Sequence, residues 1–389
     1  MTAPPAPLAA LTAQGVSVWL DDLSRPLLTT GALGALVRDH GVSGVTTNPA
    51  IFAQALAQSA AYADQLAELA RRGADAEDAV RALTAYDVRW ACDVLRPVHD
   101  ATGGVDGRVS IEVDPHLAHQ ADQTVAAARA LWRGINRPNL LIKIPATEAA
   151  LPAVVQCLAE GISVNVTLLF SVQRYRQVLD AHLSGLERAR AIGRDLSGIH
   201  SVASFFISRV DTEVDARLAR LGQAAAEAPR GGAGIANARL AHEAFREVTD
   251  SPRWAALAAS GARPQRLLWA STGVKDPAYD DTRYVTELVT PGTVNTMPGA
   301  TLRAVADHGV IRGDTVTGSY AAARHVLEEL TRAGVDLGDV AQVLEEQAVE
   351  KFRTAWLGLL DRIRTAMKTT TNTTPSPVTQ ETDHHDGNP

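Results

Sequence analysis

Lysine is scarce in this chain. Lys143, Lys275, Lys351 and Lys368 are the only lysines among 37 basic residues, and the rest are arginine. A chain that prefers arginine for positive charge keeps lysine where arginine cannot serve. Lys143 sits inside the apolar run Leu140-Leu141-Ile142-Lys143-Ile144-Pro145, where a surface charge would not normally be placed. Arginine stays protonated, whereas a desolvated lysine can lose its proton and become a nucleophilic amine. That points to a Schiff-base lysine. The competing reading is a lysine that snorkels from a strand edge or pairs with a carboxylate.

The elements that must position this lysine follow from periodicity. Short runs rich in Val, Ile and Leu read as strands. They are Val16–Asp21, Val42–Thr47, Arg108–Val113, Leu140–Ile144, Ile162–Leu168, Ser201–Phe206, Arg266–Ala270 and Val285–Thr290. Each is followed by Ala-, Leu-, Arg- and Glu-rich sequence that reads as helix. Eight strand–helix units predict an α/β protein, a closed (β/α)8 TIM barrel with additional helices. An open doubly wound sheet is the competitor, but no G-x-G-x-x-G follows the first strand. The expected organisation is an N-terminal segment over 1–15, one barrel domain over 16–368, and a disordered Thr-, Pro- and Asp-rich tail over 369–389. His384-His385 in that tail reads as a solvated pair. Extra helices are expected between Pro49 and Gly104, between Arg209 and Pro264, and after the last strand.

Alternate residues of a strand share a face. Val18 and Leu20 oppose Trp19 and Asp21; Val109, Ile111 and Val113 oppose Ser110 and Glu112. Leu140, Ile142 and Ile144 oppose Leu141 and Lys143; Ile162, Val164, Val166 and Leu168 oppose Ser163, Asn165 and Thr167. The aliphatic face suits an outer helical ring, so the mixed face points into the barrel. Asp21, Asn48, Glu112, Lys143, Asn165 and Thr167 then gather at the C-terminal ends of strands one to five, where barrel active sites lie. Lys143 can attack a ketone and form an iminium, which withdraws electrons from the adjacent carbon–carbon bond. Glu112 can supply and remove protons, directly or through a water held by Thr167. Asp21 can take the proton from the departing fragment's hydroxyl. Asn48 and Asn165 can hold substrate hydroxyls. Arg209, Ser271 and Lys275, after strands six and seven, suit a phosphate.

Composition excludes several classes. A net charge of −7 and a pI near 5.9, with no basic stripe, argue against nucleic-acid binding. No apolar stretch reaches membrane-span length, and Met1 to Ala10 has no secretory pattern. The two cysteines, Cys92 and Cys157, read as buried thiols of a reducing compartment. A cytoplasmic enzyme without metal or cofactor is expected, as a monomer or homodimer. His116 and His119 follow strand three but read as loop and helix start, not as metal ligands.

Six short segments in order resemble the motif set of transaldolases, in the longer bacterial form of the family. They are Trp19-Leu20-Asp21-Asp22-Leu23-Ser24-Arg25, Thr46-Thr47-Asn48-Pro49, Ser110-Ile111-Glu112-Val113-Asp114, Ile142-Lys143-Ile144-Pro145-Ala146-Thr147, Asn165-Val166-Thr167-Leu168-Leu169-Phe170-Ser171 and Val294-Asn295-Thr296-Met297-Pro298. The resemblance covers roughly Val16 to Leu360. It implies a class I aldolase barrel of the pentose phosphate pathway, moving a dihydroxyacetone unit from sedoheptulose 7-phosphate to glyceraldehyde 3-phosphate. The products it implies are erythrose 4-phosphate and fructose 6-phosphate. By position, Lys143 matches the Schiff-base lysine, Glu112 the water-linked acid/base and Asp21 the carboxylate of bond cleavage. Asn48, Asn165, Thr167 and Ser204 match substrate and water contacts; Arg209 and Ser271 match phosphate contacts. Two positions depart from the family pattern. Ala50 follows Asn48-Pro49 where serine or threonine is common, and Thr272-Gly273 follows Ser271 where shorter members carry arginine, with Lys275 as the substitute. The rival readings are a fructose 6-phosphate aldolase-type lyase and a catalytically silent sugar-phosphate-binding barrel.

Overall fold

The computed structural model describes residues 6–58, 60–225 and 227–372. Eight strands close into one parallel barrel in sequence order. They are β1 (Ser17–Leu20), β2 (Gly44–Thr46), β3 (Arg108–Glu112), β4 (Leu140–Pro145), β5 (Val164–Leu169), β6 (Ser201–Phe206), β7 (Arg266–Ala270) and β8 (Val294–Met297). β1 closes on β8 with Ser17 opposite Val294 and Leu20 opposite Met297. Parallel neighbours need a crossover, which the intervening helices supply.

The two faces separate as the alternation predicts for most strands. Val18, Val109, Ile142, Val164, Ala203 and Leu267 pack outward with the helices, while Trp19, Leu141, Val202, Leu268 and Val294 form the barrel interior. Gly44, opposite Trp19 in the register, makes room for the indole: a β-carbon there would lie 2.4 Å from the ring. At the N-terminal end of the strands, Asp106 accepts from Trp19 Nε1 at 3.0 Å, Ser17 Oγ at 2.6 Å and Arg266 Nη1 at 3.1 Å, which plugs that end with satisfied polar groups. Both cysteines are buried free thiols, and burial pushes the Cys157 thiol up to about 12.

Three expectations are corrected. The eighth strand is Val294–Met297, not Val285–Thr290. Arg283–Thr286 is a helix, and the following residues pack on the outside of the sheet. Asn295 Nδ2 donates to Tyr284 O at 3.1 Å and Trp269 Nε1 to Leu288 O at 3.0 Å, so outward side chains of β8 and β7 hold this segment. The apolar run there marked burial beneath the outer layer rather than a place in the sheet. The second correction is at Leu168, which has φ 63° and joins the inner cluster instead of the outer one. The β5–β6 register shifts between Val166 and Leu169, a β-bulge that turns the chain at the mouth. The third is at the C-terminus, where the helix Leu337–Asn372 carries through 369–372. Residues 373–389, including His384-His385, lie outside the described residues.

Helices beyond the minimal barrel sit where long connections were expected: Pro49–Gln58, Ala63–Arg71 and Ala76–Ala101 before β3, and Ser208–Leu221, Ala233–Thr249 and Pro252–Ala258 before β7. The N-terminal helix Pro7–Ala13 buries Leu8 and Leu11 beside β1. The helix Leu337–Asn372, about 54 Å long at 1.5 Å per residue, packs against Pro49–Gln58, Ala63–Arg71, Ala76–Ala101 and Ser208–Leu221. No helix of the described residues is long and apolar enough to cross a membrane.

Candidate active site

Glu112, Lys143 and Asn165 are lateral partners on β3, β4 and β5. In a parallel barrel, lateral partners point the same way, so the three side chains stand in a row on the inner wall. Lys143 Nζ lies 3.5 Å from Glu112 Oε2 and donates to Thr47 O at 3.0 Å. Both side chains are almost wholly buried, at 5% and 2% exposure. Neither Glu112 oxygen, nor the Thr167 hydroxyl, has a hydrogen-bond partner among the described residues. Buried polar atoms are normally satisfied, so these three mark a place for substrate or solvent oxygen. Burial pushes the Glu112 carboxyl up to about 7; Lys143 opposes the rise, Asp21 adds to it and Arg209 opposes it. A carboxyl poised near neutrality can both give and take a proton.

Asp21 follows β1 directly. Its N–H donates to Met297 O at 2.8 Å, and its carboxylate accepts from Thr46 Oγ1 at 2.6 Å. Thr46 also meets the Thr296 hydroxyl at 2.7 Å, so β1, β2 and β8 are joined at the mouth by one polar chain. Across the barrel, Ser204 Oγ donates to Asn165 Oδ1 at 2.7 Å and Asn165 Nδ2 donates to Ser110 Oγ at 3.0 Å. That chain fixes which way the amide faces. Asn48 Oδ1 accepts from Ile51 N at 3.1 Å, capping the first turn of Pro49–Gln58. A cavity of about 320 Å³ is lined by Thr47, Asn48, Phe52, Glu112, Asp114 and Trp356. Trp356 comes from the long C-terminal helix.

The cationic group lies on the other side. Arg209, on Ser208–Leu221, stacks on Phe206 at 5.2 Å. No carboxylate among the described residues lies within ion-pair distance of it. Burial lowers its pKa, and Asp21 and Glu112 act against the shift. Ser271 follows β7 with φ 56°, in the left-handed region that non-glycine residues seldom occupy. Its hydroxyl is 2.9 Å from that of Ser208. Lys275 is exposed; partial desolvation lowers its pKa, Arg209 and Lys351 push the same way, and Asp21 opposes. Lys275 also borders a second cavity, of about 470 Å³, with Asp215, Asp276 and Tyr279. Of the predicted residues, Lys143, Asp21 and Arg209 all act on the charge of Glu112; Asn165 stands beside Lys143 and is bonded to Ser204, while Ser271 lies with Arg209 on the other side.

Four residues of the site lie within the six motif segments but carry no role that the sequence reveals. Thr47 contributes only a carbonyl, which has no side-chain signature. Ser110 was placed on the inner face, but its bond to Asn165 depends on a register across β4. Thr46 and Thr296 meet at a separation of 250 positions, and Thr296 lies on the strand that the apolar pattern overlooked.

The sequence family described as Transaldolase/Fructose-6-phosphate aldolase matches residues 18–363. The chain is 63% identical to a transaldolase of Acidothermus cellulolyticus over 91% of this chain and 95% of that protein. It is 62% identical to a transaldolase of Thermobifida fusca, over 92% and 97%. It is 60% identical to a transaldolase of Mycobacterium bovis, over 95% and 99%. With the barrel, the buried lysine and this coverage together, the chain belongs to the transaldolase/fructose-6-phosphate aldolase family.

Proposed function

We propose that this protein is a transaldolase that carries a dihydroxyacetone unit from sedoheptulose 7-phosphate to glyceraldehyde 3-phosphate on Lys143. The observation that carries the reading is the Glu112–Lys143–Asn165 row, with an amine 3.5 Å from a carboxyl of raised pKa. The Lys143 amine adds to the ketose carbonyl and forms a carbinolamine. The carbinolamine loses its hydroxyl as water when Glu112, through a water shared with Thr167, donates a proton. The resulting iminium draws the electron pair of the carbon–carbon bond between C3 and C4 as Asp21 takes the C4 hydroxyl proton. The aldose leaves and an enamine of dihydroxyacetone stays on Lys143. The acceptor aldehyde is attacked by that enamine, Asp21 returns the proton to the new hydroxyl, and hydrolysis frees the ketose. Thr46 holds the Asp21 carboxylate for this, and Asn48, Asn165 and Ser204 orient hydroxyls. Arg209, Ser271 and Lys275 take the phosphate; Arg209 has its charge free for it. The enzyme acts in the cytoplasm on sugar phosphates.

The test is borohydride trapping with fructose 6-phosphate followed by peptide mass spectrometry. A reduced three-carbon adduct on Lys143, absent from Lys143→Met, is expected. An adduct on another lysine, or none with the sugar shown to bind, overturns the assignment. Release of free dihydroxyacetone without an acceptor, as fast as transfer with one, would make the enzyme a lyase instead.

A further inference from the structure

At the end of the barrel opposite the mouth lies a cavity of about 520 Å³, lined among others by Asp106, Arg108, His200, Arg263 and Arg266. Its charges do not balance. Arg266 is paired with Asp106 at 3.1 Å and makes further bonds to Gly292 O, Val105 O and Thr293 O. The hydrogen-bonding capacity of the Asp106 carboxylate goes to Arg266, Ser17 and Trp19, and it acts on Arg108 only at a distance. Among the described residues, the Arg108 and Arg263 side chains hydrogen-bond only to carbonyls: Arg108 Nε and Nη2 donate to Gly104 O, and Arg263 donates to Ser197 O at 3.2 Å and Gly103 O at 3.3 Å.

Arg108 is 2% exposed, and its Nη1 has no hydrogen-bond partner among the described residues. An atom placed where a β-carbon would sit on Gly104 is 3.3 Å from His200 Nε2 and 3.4 Å from both Arg108 Nη2 and His99 Nε2. Gly104 therefore lets these three nitrogens crowd one point beside the cavity, where even a methyl group would be tight. His200 is held down to about 3 by burial, then by Arg108, Arg263, His99 and Arg266, a sign of surplus positive potential. His99 itself sits 3.2 Å from Asp100, which Arg96 also binds at 2.7 Å, so that carboxylate is shared outside the cavity. A water could satisfy Nη1 but would bring no negative charge to the buried Arg108 guanidinium, whose nearest carboxylate, Asp106, already pairs with Arg266, and buried charge that is only partly balanced is costly.

We propose that this cavity is a binding site for a phosphate dianion, held by Arg108 and Arg263 with His200 beside it. Nothing in the proposed chemistry uses these residues, and the site lies at the other end of the strands from Lys143. Phosphate suits it because its oxygens can accept from two guanidinium groups at once.

The experiment follows the imidazole signals of full-length protein labelled in histidine while inorganic phosphate is added at constant ionic strength in chloride. The His200 signal is identified by its loss in His200→Gln. A saturable shift of that signal is expected. Binding at this signal should weaken at least tenfold in Arg263→Gln, whose side chain is only partly buried, and stay unchanged in Arg209→Gln, which alters the mouth. No saturable shift overturns the proposal, as does a shift that Arg209→Gln removes or that Arg263→Gln leaves intact. A parallel titration with glycerol 3-phosphate separates the sources. Saturation at similar concentration assigns the site to phosphorylated metabolites, and failure to saturate confines it to free phosphate.

Discussion

Replacing Glu112 by glutamine separates what this carboxyl does for folding from what it does for chemistry. Its oxygens accept no hydrogen bond among the described residues, and burial raises its pKa from 4.5 to about 7 despite Lys143 at 3.5 Å. A carboxyl with a raised pKa holds its proton more tightly in the folded chain than in the unfolded one. The stability it contributes is fully present below about pH 4.5 and is lost as the pH rises through about 7. At about 1.4 kcal/mol per pH unit, ionising Glu112 costs the wild type about 3 kcal/mol of stability above neutrality. Glutamine has the shape of the protonated acid and cannot ionise. The stability difference between Glu112→Gln and wild type should therefore widen by about 3 kcal/mol between pH 4.5 and 7.5, then stay level. For a chain of this size the unfolding entropy is about 0.8 kcal/mol/K, so the widening is about 4 °C in Tm. Scanning calorimetry of both proteins from pH 4.5 to 8.5 reads it directly. Turnover in the same variant should fall by about 10²- to 10⁴-fold, the usual worth of a positioned proton-transfer group. Melting temperatures that run parallel across this range would refute the argument from burial. Turnover near the wild-type level would refute the acid/base role.

Gly44→Ala should destabilise the barrel by about 3 kcal/mol, the upper end for overpacking, because its methyl would meet the Trp19 ring at 2.4 Å and that indole is tied to Asp106. A urea midpoint equal to wild type would mean the indole can swing aside. Arg209→Gln should lower kcat/KM for fructose 6-phosphate roughly 10- to 100-fold, from the loss of a charged hydrogen bond. The same change should leave kcat/KM for an unphosphorylated ketose nearly unchanged. Equal losses on both substrates would move Arg209 from phosphate binding to the reacting atoms.

The inner-face set was legible because three strands keep strict alternation. Asp21, Glu112 and Lys143 each sit one residue from outward aliphatics, and the structure places each where period two puts it. Asn165 and Thr167 followed for the same reason, up to the bulge. Leu168 breaks the period through a φ of 63°, and Ser271 likewise stands at 56° after β7. Neither is glycine or asparagine, so residue type gave no warning of either. What holds them is the closed barrel around them, and that is a tertiary property. The hydrogen bonds that orient the site have the same origin. Thr46 with Thr296 and Ser204 with Asn165 depend on closure and register, and no local window contains both partners.

The misread eighth strand has a further physical lesson. Apolar runs mark strands buried on both faces, so the criterion selects against strands whose inner face is polar. β3 and β4 survived it because Glu112 and Lys143 stand among flanking aliphatics. β8 has Asn295 and Thr296 in its four residues, and the longer segment Val285–Thr290, with the same apolar share but three aliphatics, outcompeted it. Yet those polar residues are what β8 contributes: Thr296 supports Thr46 and hence Asp21, and Asn295 pins the outer segment that was mistaken for the strand. In a barrel whose chemistry is built from strand ends, the strands that hold the site together are also the hardest to see by hydrophobicity. Closure is written in the count of strand–helix units together with the polar residues at the strand ends.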